Sequence, residues 1–259
     1  MSKPEQPSGV DDRYPTAFTV DDFHHNVAAV RTRIDEAARR AGRLPEEVTL
    51  LPVSKTVPTE RVRVAIESGM RLLGENKVQE AVRKHGETSD LDVSWSIIGH
   101  LQTNKARDVA TFATEFQALD RLRVAEALDR RLQAAGRSLD VFVQVNTSAE
   151  DSKFGMPPGE LPAFLEALPS YQSLRVRGLM TLAILTPDDQ RVRECFSLLR
   201  TLRDQAREDA PDLIGSGELS MGMSGDYEIA VEEGATCVRV GQAIFGARAL
   251  PDSYYWPEA

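Results

Sequence analysis

The chain has 259 residues, 41% hydrophobic and 27% charged, which suits one large α/β domain with a substantial core. Its formal net charge of −9 opposes phosphate backbones and anionic lipid surfaces, and no dense basic cluster offsets that charge, so neither nucleic acid nor a membrane is an expected partner. The two cysteines, Cys195 and Cys237, lie in apolar periodic segments without ligand-type spacing, which argues against a disulfide framework and against a zinc site.

The opening MSKPEQPSGVDDRYP lacks the apolar core of a signal peptide, and no apolar stretch approaches the length that spans a bilayer. Residues 1–18 therefore read as a disordered polar leader of a cytoplasmic protein, and residues 19–259 as a single domain. From Asp21, DDFHHNVAAVRTRIDEAARRAG carries Phe23, Val27, Val30, Ile34, Ala37 and Ala41 at helical steps, with Asp at its start and Gly42 at its end. Eight short runs that resemble strands buried on both faces follow. They are VTLLPV from Val48, RLLG from Arg71, VSWSIIG from Val93, FQAL from Phe116, DVFVQVN from Asp140, VRGLMTL from Val176, ELSMGM from Glu218 and TCVRVG from Thr236. Helical patterns separate them, among them TERVRVAIESG ending at Gly69, RLRVAEALDRRLQAAG led by Asp120, and PDDQRVRECFSLLRTLRDQA after Leu185 and Thr186. Eight strand and helix units in a chain of this length predict a (β/α)8 TIM barrel with an extra N-terminal helix. A doubly wound open sheet is the alternative, because periodicity does not report closure.

Barrel chemistry sits at the C-terminal ends of the strands, so the residues that follow each run are the informative ones. They are Lys55, then Glu75 and Asn76, His100, Asp120, Asn146, Thr181, Ser224, and finally Arg239 with Gly241. Alternation puts Leu51, Val53 and Lys55 on one face; if that face is the interior, desolvation favours a neutral amine that attacks carbonyls. Gly241 and Gly246 bracket a short helix, and Ser224 with Gly225 lies in the preceding loop. Loops after strands seven and eight of such barrels commonly bind phosphate. Arg239 shares a face with Cys237 and Gly241, and needs either an ion pair with Asp226 or Glu228, or a ligand acceptor. An amine-reactive carbonyl, a phosphate and a ring nitrogen together describe pyridoxal 5′-phosphate.

Several motifs then support a resemblance. LLPVSKT from Leu50, GENKVQE, IGHLQTNK, VNTSAEDSKFG, RGLMTL and LSMGMSGDYEIAVEEGATCVRVGQAIFG resemble the pyridoxal phosphate homeostasis proteins, which share the barrel of the alanine racemase N-terminal domain. The resemblance runs from about Phe23 to Gly246. It implies pyridoxal 5′-phosphate linked as a Schiff base to Lys55, phosphate contacts from Ser224, Gly241 and Gln242, Arg239 facing the pyridine nitrogen, and Asn76 beside the cofactor. Two positions depart from the family pattern: Gln242 stands where Ser or Thr is common, which removes a hydroxyl from the phosphate site, and Ser96 stands where His is frequent.

A racemase needs a second base on the opposite face of the bound substrate, which alanine racemases take from a Tyr supplied through a C-terminal domain and a partner chain. The tail here offers Tyr254, Tyr255 and Trp256, which read as a surface clasp. The expected function is a monomeric carrier that holds the cofactor, maintains its intracellular level and hands it to apoenzymes, with no catalytic residue of its own. The alternatives are an amino-acid racemase and a class I aldolase in which Glu75, Asp120 or His100 supplies the acid and base.

Overall fold

A short apolar strand can bury both faces only where each face is covered, and the eight predicted runs achieve this by closing on one another. In the computed structural model, which describes residues 13–150 and 153–247, the strands are β1 (Thr49–Pro52), β2 (Leu72–Glu75), β3 (Ser94–Ile97), β4 (Glu115–Leu119), β5 (Leu139–Gln144), β6 (Leu174–Met180), β7 (Glu218–Ser220) and β8 (Cys237–Val240). All pair in parallel, in the order β1-β8-β7-β6-β5-β4-β3-β2. The remaining seam, β1 to β2, is joined by a parallel bridge between Val53 and Gly74, and Ser54 N donates to Gly74 O at 3.0 Å. The sheet is thus a (β/α)8 TIM barrel, and the open-sheet alternative fails at that seam.

The outer layer comprises α1 (Val20–Arg40), α2 (Thr59–Glu67), α3 (Val78–Glu87), α4 (Ala106–Phe112), α5 (Leu122–Ala135), α6 (Leu161–Ala167), α7 (Asp189–Asp209), α8 (Tyr227–Glu232) and α9 (Gln242–Phe245). The extra helix α1 packs on α2, α8 and α9. It buries Phe23, Val30, Ile34, Ala37 and Ala38, and Phe23 meets the Phe245 ring edge-on at 5.4 Å. Its cap is Thr19 rather than the expected Asp21. The Thr19 hydroxyl accepts from Asp22 N at 3.2 Å while the Asp22 carboxylate accepts from Thr19 N at 3.1 Å, a reciprocal capping box. Asp188 does cap α7, accepting from Gln190 N at 3.0 Å. Asp120 does not cap α5, whose N-cap is Arg121; its carboxylate pairs instead with the Arg121 guanidinium at 3.1 Å.

Of the predicted leader, residues 1–12 lie outside the described residues, whereas Tyr14 and Ala17 are held against the barrel. The Tyr14 hydroxyl donates to Ser224 O at 3.0 Å, and Ala17, fully buried, accepts at its carbonyl from Arg61 Nε at 2.8 Å. Among the described residues no helix is long and apolar enough to cross a membrane.

Barrel interiors are usually filled by branched aliphatic side chains. Here part of the interior is polar. Ser220 Oγ on β7 donates to Gln117 Oε1 on β4 at 2.6 Å, and those strands are not neighbours, so the bond crosses the lumen. The same hydroxyl accepts from Arg239 Nη1 at 2.6 Å, and Gln117 Nε2 donates to Glu115 Oε1 at 2.7 Å. Cys237 lies in this interior, and burial pushes its thiol up to about 12. Replacing the linking hydroxyl, Ser220→Ala, strands an amide oxygen and part of a guanidinium in a dry interior. The expected loss is about 1–3 kcal/mol of unfolding free energy, read as a lower urea midpoint at constant slope. An unchanged midpoint would show that the interior network does not hold the barrel together.

Candidate functional site

The site forms where the C-terminal ends of β1, β2, β6, β7 and β8 meet. Ladder pairing of the first strand stops at Val53, and the chain turns through Ser54–Val57, closed by Val57 N donating to Ser54 O at 2.9 Å. Lys55 occupies this turn, half-buried, behind the buried Leu51 and Val53. Strand alternation therefore does not reach Lys55 itself. Its direction is set by a turn in which Thr56 adopts φ 67°, a left-handed conformation uncommon for a β-branched residue.

After the seventh strand the loop carries Ser224 to the start of α9. Its Oγ accepts from Gly241 N at 3.3 Å and from Ala243 N at 3.4 Å. Backbone donors and a hydroxyl therefore converge at one spot, with half-buried Gln242, the first residue of α9, between the two donors. A Cβ on Gly241 would lie 3.1 Å from Val53 O, so this donor loop runs tightly against the strand that leads to Lys55.

Arg239 projects from β8 and is 3% exposed. Nη2 donates to Thr181 O at 2.7 Å and Nη1 to Ser220 Oγ. Neither carboxylate proposed as its partner serves: Glu228 pairs with Arg33 and Arg40, and Asp226 accepts from Met223 N at 2.5 Å. Among the described residues no carboxylate forms an ion pair with Arg239. Burial lowers the affinity of its guanidinium for the proton, and Cys237 and Asp226 oppose that effect from a distance. Two of its five N–H groups are matched by these acceptors, which leaves donor capacity for a further acceptor.

Asn76, half-buried, follows β2 in close packing against the next strand end; a Cβ on Gly99 would overlap its carbonyl oxygen. Glu75 differs from its expected role as a group facing the mouth. It is the last residue of β2, fully buried, and accepts from Ser54 Oγ and Lys84 Nζ, each at 2.6 Å. Burial pushes its carboxyl up, against the pull of Lys84. His100 stacks on Phe154 with ring centroids 4.0 Å apart, and Arg121 Nη2 lies 3.1 Å from its Nε2. Burial and Arg121 hold the imidazole below its ordinary pKa. Asn146 shapes its own loop, accepting from Ser148 N at 3.2 Å, and Thr181 Oγ1 donates to Val145 O at 2.7 Å.

The structure thus brings Lys55, the Ser224 and Gly241 donor loop, and Arg239 to one rim, while Glu75 turns behind it and Asp120 is engaged by Arg121. Sequence reasoning missed Lys84, Glu80 and Phe154. The spacing of Glu80 and Lys84, one helical turn apart, was the available signal for the first two. Phe154, an aromatic residue 53% exposed in a polar loop, was the signal for the third. The tail residues Tyr254, Tyr255 and Trp256 lie outside the described residues.

Comparison with known proteins identifies the family. Residues 22–249 match the alanine racemase N-terminal domain family. A relative from Pseudomonas aeruginosa, named pyridoxal phosphate homeostasis protein, is 44% identical over 223 residues, 86% of this chain and 94% of its own. The chain belongs to the pyridoxal phosphate homeostasis protein family. The solved structure of PipY from Synechococcus elongatus, with PLP bound, superposes with a TM-score of 0.76 at 36% identity, covering 86% of this chain and all of that one (100%). The alanine racemase of Streptomyces lavendulae shares the fold alone: 17% identity and a TM-score of 0.70 over 92% of this chain, which spans 61% of the racemase.

Proposed function

We propose that this chain binds pyridoxal 5′-phosphate at the barrel rim, holds it as a Schiff base on Lys55, and acts as a reservoir that maintains the intracellular level of the cofactor and supplies apoenzymes. The observation that carries the reading is Arg239: a buried guanidinium without a carboxylate partner among the described residues, on the same rim as a backbone anion cradle and a half-buried amine. The donor set fits the group. A phosphate, an aldehyde and a ring nitrogen each meet one of those three parts.

The cofactor supplies an aldehyde, and the chain's residues account for the rest. Lys55 would supply the amine that condenses with that aldehyde, the carbonyl oxygen being released as water. The hydroxyl of Ser224 and the backbone N–H groups of Gly241, Gln242 and Ala243 bind the phosphate; Gln242 contributes through its backbone where a Ser or Thr would add a hydroxyl. Asn76 lines the same rim. Arg239 keeps its proton and donates to the ring nitrogen, which leaves that nitrogen unprotonated and the ring a weak electron sink. Such a ring suits storage better than broad amino-acid chemistry.

The names of the curated relatives, and the PLP in the PipY structure, support the same reading. The racemase alternative draws only on the shared fold. The aldolase alternative loses its acid and base, because Glu75 is tied to Lys84 and Ser54, Asp120 is paired with Arg121, and His100 is stacked on Phe154. We take the carrier to act as a monomer in the cytoplasm.

Titration with the phosphate ester and with pyridoxal tests the cradle. Ser224→Ala weakens binding of the ester by about 1–3 kcal/mol, the range for a hydrogen bond to a charged group, and pyridoxal binds far less well than the ester. Equal affinity for both would remove the cradle from the account. Deuterium exchange separates carrier from racemase: the loaded protein leaves the α-hydrogen of either alanine enantiomer in place, whereas exchange at about 1 per second or faster, the low end of enzyme turnover, would make it an enzyme.

A further inference from the structure

Directly behind Lys55 lies a cluster of buried charge that the proposed chemistry does not use. Lys84, on α3, has a fully buried side chain, and its Nζ donates to Ser54 O at 2.6 Å, to Glu75 Oε1 at 2.6 Å and to Glu80 Oε1 at 2.8 Å. An ammonium has three N–H donors, so all three are matched. Each acceptor leads back to the turn that carries Lys55. Ser54 O is the carbonyl just before Lys55 and also accepts the bond that closes the turn. Glu75 accepts from the Ser54 hydroxyl. Glu80 accepts, through the same Oε1, from Thr56 N at 2.8 Å, the amide just after Lys55. One buried cation therefore ties down the backbone on both sides of Lys55.

The held turn is strained. Its third residue, Thr56, has φ 67°, in a position where glycine or asparagine is the ordinary choice. A β-branched residue in that region is costly and persists only where its surroundings over-determine it. The Glu80 bond to Thr56 N and the Lys84 bond to Ser54 O supply that determination. Burying one ammonium with two carboxylates is itself a weak source of stability, because desolvation offsets most of the attraction. The cluster makes better sense as a device that fixes a conformation.

We propose that Lys84 and Glu80 are positioning residues: they hold the Ser54–Val57 turn in its strained form and so aim the Lys55 amine into the rim. This rests on the Schiff-base reading above, and deepens it by assigning the orientation of the amine to a side-chain clamp.

The test compares two ligands. Pyridoxal 5′-phosphate reports both the cradle and the amine, through affinity and the visible absorbance band of the Schiff base. Pyridoxine 5′-phosphate, with an alcohol in place of the aldehyde, reports the cradle and ring contacts alone. Glu80 is partly exposed, so Glu80→Ala removes the clamp on Thr56 N without stranding Lys84, which keeps Glu75 and Ser54. It weakens Schiff-base formation by about tenfold, the worth of one charge-assisted hydrogen bond, and leaves pyridoxine 5′-phosphate affinity unchanged. Glu80→Gln, whose amide oxygen still accepts from Thr56 N, restores most of the band, and so does adding Thr56→Gly to Glu80→Ala, because glycine adopts the turn unaided.

Equal Schiff-base formation by the parent and Glu80→Ala would overturn the inference, as would a loss of both ligands in parallel, which marks general damage to the fold. Absence of the band in the parent protein would defeat the Schiff-base reading and this inference together, so the two failures are distinct.

Discussion

The seam between β1 and β2 is the constraint on which the rest of the molecule depends. Seven parallel pairings still leave a curved sheet with two edges; the Val53 and Gly74 bridge, with Ser54 N on Gly74 O, removes both. Closure then brings the carboxyl ends of all eight strands to one rim. Lys55 follows the seam by a single residue, and the donor loop at Gly241 passes 3.1 Å from Val53 O on the other side, measured from the Cβ a side chain would add. The amine and the anion cradle come together because β1 pairs with β8, and closure between β1 and β2 completes the rim around them.

Closure also encloses an interior that this sequence fills partly with polar groups. Gln117, Ser220 and Arg239 are hydrogen-bonded across the lumen. A buried polar network contributes little net stability, yet leaving one member unsatisfied is expensive, so the chain must satisfy the set as a unit. Arg239 belongs to that unit through Ser220 and Thr181 while retaining donor capacity. That combination gives a fixed cation whose remaining preference is for an acceptor from outside the protein.

The eight strands were legible because burial on both faces writes itself as continuous apolar runs such as VTLLPV and VFVQV, and each emerged within two residues of its expected limits except β7, which stops at Ser220, three residues short of Met223. The placement of Lys55, Ser224, Arg239 and Gly241 at the strand ends was legible because a barrel fixes which end of a strand matters. The clamp was not legible. Glu75 and Lys84 lie on different elements, and only the fold shows that the carboxylate turns behind the strand instead of into the mouth. Local competition also misled the caps: Thr19 wins over Asp21 because its hydroxyl and Asp22 satisfy each other's backbone amides, and Asp120 is drawn to Arg121 before it can cap α5. Periodicity placed Tyr14 and Ala17 in a polar leader because their contacts, with Ser224 and Arg61, are far away in sequence.

The central claim is that the amine of Lys55 carries the cofactor, and covalent trapping addresses it most directly. Loading the protein with pyridoxal 5′-phosphate, reducing with borohydride and mapping the product by peptide mass spectrometry gives a phosphopyridoxyl adduct on the peptide containing Lys55. The adduct is lost in Lys55→Ala while the variant stays folded, since the strand loses no apolar contact. An adduct on a different lysine, or an undiminished yield in Lys55→Ala, would contradict the account.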